Sequence, residues 1–284
     1  MKNIIAISSL LAAGTMLANA AVVDTELLWG LDFSKGTSLD SAKHGSGAFS
    51  NLSGSGTIDQ NDGFISGAGS YSTSSKNKLS FTSENSSVGS QTDALKEGSG
   101  SFTISFHAKY DSDFSTSEWP VLFAFGVNSS YQWKLTDYKN QNKIVMDKDG
   151  YQEMTGAGTD GKTLASQSAS SEWAHYALVL EGSSGARTLS LYIDGEKKGT
   201  GTVNLTSQNA MTNFAFGGKL SAGKESSLTL SDIAIYKGAL GQEQISYLKT
   251  HKANASAIPE PSAFGLLAGA GALALVAARR RRRR

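Results

Sequence analysis

Apolar and polar side chains alternate with a period of two along much of the middle of the chain. Leu27, Trp29, Leu31 and Phe33 would share one face of an extended segment, as would Phe102, Ile104, Phe106 and Ala108, with polar residues between them. Residues 121–127 are apolar without a break, the pattern of a strand buried on both faces. Tyr131, Trp133 and Leu135 alternate with Gln132 and Lys134. Residues 144–146, 173–180, 189–193, 214–216 and 228–236 complete the predicted strands. Asp149-Gly150 and Asp194-Gly195 follow strand segments directly and signal two-residue hairpin turns. The stretch 34–75 is polar and rich in glycine, yet Phe49, Ile58, Phe64-Ile65 and Tyr71 punctuate it. That spacing predicts loops between short strands rather than a linker. One short helix is predicted at 242–248. There Leu240 and Ile245 form a hydrophobic staple around an N-cap at Gly241, and Ile245 and Leu248 share a face. Many short strands with little helix predict an all-β fold, an antiparallel sandwich or barrel.

The two ends follow other patterns. Lys2, an apolar stretch over 4–17 and Ala18-Asn19-Ala20 have the order of a secretory signal peptide, with cleavage between Ala20 and Ala21. Residues 1–20 are therefore set aside from the fold. At the other end, Pro259-Glu260-Pro261 precedes an uncharged apolar run, 262–278, and six arginines, 279–284. As a helix the run would span about 25 Å, enough for a thin bilayer. The arginines would stay cytoplasmic and Pro259 outside. This three-part tail resembles the PEP-CTERM sorting signal, with Pro259, Glu260 and Pro261 as its motif. The resemblance implies an exosortase-type sorting enzyme as partner, and a family associated with bacteria that make extracellular polysaccharide. It also implies export to the cell envelope or outer surface, with the chain transiently anchored in the inner membrane. The chain then divides into 1–20, a domain over 21–252, a linker over 253–258 and the sorting signal over 259–284.

Removing the two ends changes the charge. The whole chain has 26 Lys+Arg against 25 Asp+Glu. Without Lys2, the six tail arginines and Glu260, 19 basic and 24 acidic residues remain, a net charge near −5. A weakly acidic domain whose one arginine is Arg187 lacks the concentrated basic face of a nucleic-acid binder. There is no cysteine, so no disulfide stabilises the domain.

Four segments in order resemble laminin-G-like, concanavalin A-like jelly rolls. They are 101–106 (SFTISF), 172–179 (EWAHYALV), 189–195 (LSLYIDG) and 230–248 (LSDIAIYKGALGQEQISYL). The resemblance implies an antiparallel jelly-roll β-sandwich with one short C-terminal helix, whose ligands bind on a concave face or its loop rim. Gly241 departs from the serine or threonine that commonly caps this helix in the family.

Candidate chemistry is sparse. No E-x-D-x-x-E strand motif of the related glucanases is present, and no G-x-S-x-G elbow. His44, His107, His175 and His251 show no metal spacing, and His107 and His175 read as hydrogen-bonded strand residues. Asp194 reads as a turn residue and Asp232 as a strand-end one. Calcium is the candidate metal, through the pairs Asp111/Asp113 and Asp147/Asp149, neither of which completes an EF-hand loop. Trp119, Tyr131 and Trp133 are candidate stacking faces for a sugar, against a core role for Tyr131 and Trp133. Trp29 and Trp173 read as core. Together these predict a non-enzymatic binding module for carbohydrate or extracellular matrix. The alternatives are a structural or adhesive surface protein that binds protein partners and, third, a glycoside-active enzyme.

Overall fold

The computed structural model describes residues 26–44, 49–73, 77–83, 101–110, 121–128, 131–138, 143–147, 151–153, 172–182, 186–204, 213–220 and 227–253. Sixteen strands fall in them. In chain order they are β1 (Glu26–Leu31), β2 (Lys43–His44), β3 (Phe49–Ser53), β4 (Thr57–Asp59), β5 (Ser70–Ser72), β6 (Leu79–Ser83), β7 (Phe102–Tyr110) and β8 (Val121–Asn128), followed by β9 (Tyr131–Tyr138), β10 (Lys143–Asp147), β11 (Tyr151–Glu153), β12 (Ala174–Glu181), β13 (Ala186–Ile193), β14 (Glu196–Asn204), β15 (Asn213–Phe216) and β16 (Leu228–Lys237). A one-turn helix α1 (Leu39–Ala42) lies between β1 and β2, and α2 (Gln242–Leu248) follows β16.

The strands form two antiparallel sheets. Sheet A runs β14-β13-β12-β7-β16-β1-β2, with β5 also on β16 and β4 on β5; sheet B runs β11-β10-β9-β8-β15-β6-β3. This is an antiparallel jelly-roll β-sandwich with a short C-terminal helix. Phe102, Ile104, Phe106 and Ala108 of β7 do share the inner face, where they meet Phe123, Phe125, Phe214 and Phe216 of sheet B. Phe106 stacks on Tyr176 at 5.4 Å and meets Phe216 edge-on at 5.0 Å. The Asp194-Gly195 turn joins β13 to β14 with φ of +54° and +79°, the two left-handed residues of a tight hairpin.

Several elements differ from the sequence pattern. A register shift between Leu27 and Trp29 sends Leu27 to the outer face of sheet A, while Leu28, Trp29 and Leu31 stay inside. Strand β6 alternates, with Leu79 and Phe81 in the core, but is too short to stand out; β14 lacks an apolar run and forms because the hairpin places it against β13. Phe64-Ile65 is not a strand but a turn, closed by Gly63 N–H donating to Ala68 O at 3.0 Å and Ala68 N–H to Ile65 O at 2.8 Å. Helix α1 is an added short helix, with Ser38 and Ser41 as a capping box.

Helix α2 packs on the outer face of sheet A. Leu240, Ile245, Leu248 and Ala253 bury against Leu27, Ala177, Val179, Ala234 and Tyr236. Gly241 has no side chain to cap with, but its N–H donates to Gln244 Oε1 at 3.0 Å. Among the described residues no helix is long and apolar enough to cross a membrane; residues 1–25 and 254–284, which hold the expected leader and tail, lie outside them.

Phe106 sits at the centre of this aromatic packing. Phe106→Ala is expected to lower the unfolding free energy by about 3–5 kcal/mol with an unchanged denaturant slope. Urea unfolding followed by tryptophan fluorescence checks this; a loss under about 1 kcal/mol would place the core elsewhere.

Candidate functional site

The outer face of sheet A carries polar side chains, and four rings lie in layers there. His107 and His175 are paired across β7 and β12, with ring centroids 4.8 Å apart. Phe64, on the 63–68 turn, stacks on His107 at 4.8 Å and 27°. It is 39% exposed, the one large hydrophobic side chain exposed among the described residues. Trp173, half-buried, lies 6.2 Å from Phe64 at a 46° tilt. The Lys109 ammonium sits 4.9 Å above the Trp173 ring and 3.8 Å from Asp62 Oδ2. The result is an open aromatic surface rimmed by a solvated ion pair.

The layer beneath is uncharged at neutral pH. His107 Nε2 donates to the Lys249 carbonyl at 3.1 Å, and His175 Nε2 lies 2.9 Å from Ser105 Oγ. Burial pushes His107 down to about 4, and burial together with the neighbouring His107 holds His175 well below the ordinary histidine range. The Asp194 turn is docked here as well: His175 N–H donates to Asp194 Oδ1 at 3.1 Å, and Asp194 N–H to His175 O at 2.8 Å.

A second polar cluster lies where β16 changes partner. Its first part pairs with β5 and its later part with β1. A bulge between Ser231 and Ala234 makes the transition, and Asp232 takes φ +52° there. Its buried carboxylate accepts from Ala253 N–H at 2.6 Å. Asp32 lies in the same cluster and accepts from Ser34 N–H at 3.1 Å and Ser34 Oγ at 2.6 Å. The Lys252 ammonium reaches Asp32 Oδ2 at 3.1 Å, Ser34 Oγ at 2.9 Å and the Gly67 carbonyl at 2.9 Å. Burial, reinforced by the charge on Asp32, pushes Asp232 up to about 7 against the opposing pull of Ala253 N–H and Lys252. Burial also pushes Asp32 up, but its hydrogen bonds from Ser34 and Lys252 outweigh that and hold it low.

The residues singled out in the sequence fall apart in space or outside the described chain. Trp133 faces the core, 3% exposed, stacked on Phe125 at 5.7 Å; no open ring face remains for a ligand. Tyr131 opens β9 opposite Asn128, and Asp147 ends β10 opposite Tyr151. Trp119, Asp111, Asp113 and Asp149 lie outside the described residues. Among the described residues no three His, Asp or Glu side chains converge as a metal site. Trp29 is core as expected, whereas Trp173 is half-buried just before β12. Phe64, Lys109, Asp62, Asp32 and Lys252 were not singled out. Asp232 had a signal: the core-facing step from Leu230 to Ile233 is three rather than two, as a bulge requires.

The two clusters give opposite pH dependences. A histidine lowered in the folded state adds stability above about pH 6.5 that is lost as pH falls toward 4; for His107 this is up to about 3 kcal/mol. A raised aspartate adds stability at low pH that is lost as pH rises from about 4 to 7; for Asp232 this is about 4 kcal/mol. Asp232→Asn should therefore make the chain gain more stability between pH 4.5 and 7.5 than wild type, and His107→Gln less. Urea unfolding at both pH values checks this, and unchanged differences in both variants would refute the assignment.

Comparison with known proteins agrees with this architecture. Among solved structures the chain is similar to domain 4 of AbnA, a GH43 extracellular arabinanase from Geobacillus stearothermophilus, in complex with arabinotriose. Identity is 16% and the TM-score 0.53, over 80% of this chain and 99% of that one. It is also similar to the binding domain of Paraclostridial Mosquitocidal Protein 1 (18%, TM-score 0.52, 79% of this chain and 52% of that one). The receptor binding domain of botulinum neurotoxin D is a further match (15%, TM-score 0.53, 80% and 52%). At these identities the likeness is one of fold. No curated protein sequence matches the chain. Residues 257–283 match the PEP-CTERM protein-sorting motif, which implies export and sorting to the envelope. Residues 80–246, more than half of the chain and reaching from β6 into α2, match the family model of the concanavalin A-like lectin/glucanases superfamily, and the chain belongs to that superfamily.

Proposed function

We propose that the chain is an exported, envelope-sorted module that binds a glycan on the Phe64–Trp173 surface and does not hydrolyse it. The observation that carries this reading is Phe64 itself, an aromatic ring stacked on His107 and still 39% exposed. A sugar ring presents apolar C–H groups to such a face and hydroxyls to its rim. Asp62 accepts and Lys109 donates there, and the neutral histidine layer keeps the ring in place without adding charge. The similar arabinanase domain, solved with arabinotriose, and the toxin binding domains support a binding role for the fold. Glycoside hydrolysis needs two carboxyl groups about 5–10 Å apart across the bond. Asp62 is engaged by Lys109, and the sequence lacks the glucanase strand motif that supplies such a pair.

In this reading the mature chain begins at Ala21. Residues 262–278 hold it at the membrane until a sorting enzyme cuts near Pro259. One shallow surface binds weakly, and many tethered copies compensate by multivalency.

A glycan array probed with the purified chain tests the function, and a wild-type chain that binds no glycan would remove it. Phe64→Ala and Trp173→Ala should each weaken binding about tenfold, the worth of roughly one half-buried ring, while the thermal midpoint stays near wild type. Bound oligosaccharide should be recovered intact. Undiminished binding by folded Phe64→Ala would move the site off this face.

A further inference from the structure

We propose that residues 249–253 form a latch that joins the two ends of the domain, and that the latch sets the length of the tether carrying the sorting motif. The inference rests on the match to the sorting motif and not on the glycan reading.

The latch has three attachments, each to a different part of the fold. His107 on β7 donates to the Lys249 carbonyl. Lys252 reaches across to Asp32 and Ser34, at the start of the domain, and to Gly67 on the 63–68 turn. Ala253 N–H is held by Asp232, and the Ala253 methyl is buried with α2. The charges around Lys252 are Asp32 and, further off, Asp232; Lys35 stands on the outer side of Asp32 at 3.8 Å. Ser34 is 218 residues from Lys252 and Gly67 is 185. These contacts therefore form only once the first strand, the 63–68 turn and the end of α2 are all seated. A chain that has not finished folding has no latch.

Beyond Ala253, five residues, 254–258, lead to Pro259. Fully extended they reach about 17 Å. With the latch closed, the sorting motif stays within that distance of one place on the sandwich. Opening it adds 249–253 and doubles the reach to about 35 Å. A short tether keeps the bulk of the sandwich beside the bond that a sorting enzyme must approach; a long one withdraws it.

Trypsin reads the latch directly, because Lys252 is both its charged group and a cleavage site. In the full chain, purified in mild detergent, the bond after Lys252 should be cut at least about tenfold more slowly than in a peptide of residues 245–258, as expected for a hydrogen-bonded charged group. Asp32→Asn should raise that rate about tenfold and speed hydrogen exchange at Ala253 N–H, with exchange in β7 and β12 unchanged. Should Asp32→Asn not fold, Lys252→Met serves, read at the bond after Lys249 and at Ala253 N–H. In cells that carry the sorting enzyme, the same variant should be exported normally and lose its tail severalfold faster. Wild type cut as fast as the peptide, or variants whose cleavage and exchange match wild type, would overturn the latch. Tail removal at the wild-type rate in an unlatched variant would overturn its role in the tether.

Discussion

Sheet A is covered on both faces, and most of what distinguishes this sandwich follows from that. Sheet B packs on its inner face, and α2 with the segment after it packs on its outer face. Polar side chains on the outer face of β7, β12 and β16 are thereby taken out of water and need internal partners. They find them in the cover. Thr103 Oγ1 donates to Gly238 O and accepts from Leu240 N–H, which fixes the entry to α2. His107 holds the end of the helix through Lys249 O. Ser231 Oγ donates to Gly69 O, and Asp232 takes Ala253 N–H. Each polar residue thus ties down one piece of the layer that buries it. Apolar packing alone would hold the cover without fixing its register; these bonds fix it, at roughly 1 kcal/mol each and more where a charge takes part.

The inner face was legible in the sequence because period-two alternation reports burial on one side, as Phe102 through Ala108 show. Helix α2 was legible because a staple and an N-cap are local signals. The outer face was less so. A strand buried on both sides places Ser105 and His107 where a solvent-facing strand would place them too, and nothing local says that a helix following the last strand will cover them. The short strands β4 and β5 carry one apolar residue each, Ile58 and Tyr71, and depend on pairing for their form.

The site was harder still. The pattern sought was tryptophan in strands, yet Trp133 faces inward because its register on β9 opposes Phe125 of β8. The open ring belongs to Phe64, whose exposure is set by a turn and not by a period. Gly63 permits that turn: a Cβ there would lie 2.5 Å from the Ala68 carbonyl carbon. Gly67 takes φ +75°, a conformation few other residues adopt without strain. Turn geometry of this kind depends on which strands the loop joins, and for 63–68 those are β4 and β5, strands of only 3 residues each.

The 63–68 turn also joins the two outer-face clusters. Phe64 stands over His107 at one end of it, and the Gly67 carbonyl binds Lys252 at the other. Two residues separate these points, inside a loop closed by its own hydrogen bonds and followed by Gly69, where a Cβ would meet Phe33 backbone at 2.5 Å. A loop so confined moves as a unit. His107 closes the circuit, since it supports Phe64 on its ring face and Lys249 through Nε2. The aromatic surface and the segment leading to the tail are therefore supported by the same histidine and the same turn. A displacement of one is resisted by the contacts of the other, and this places the mechanical connection between the open face of the sandwich and its C-terminal exit within a few residues.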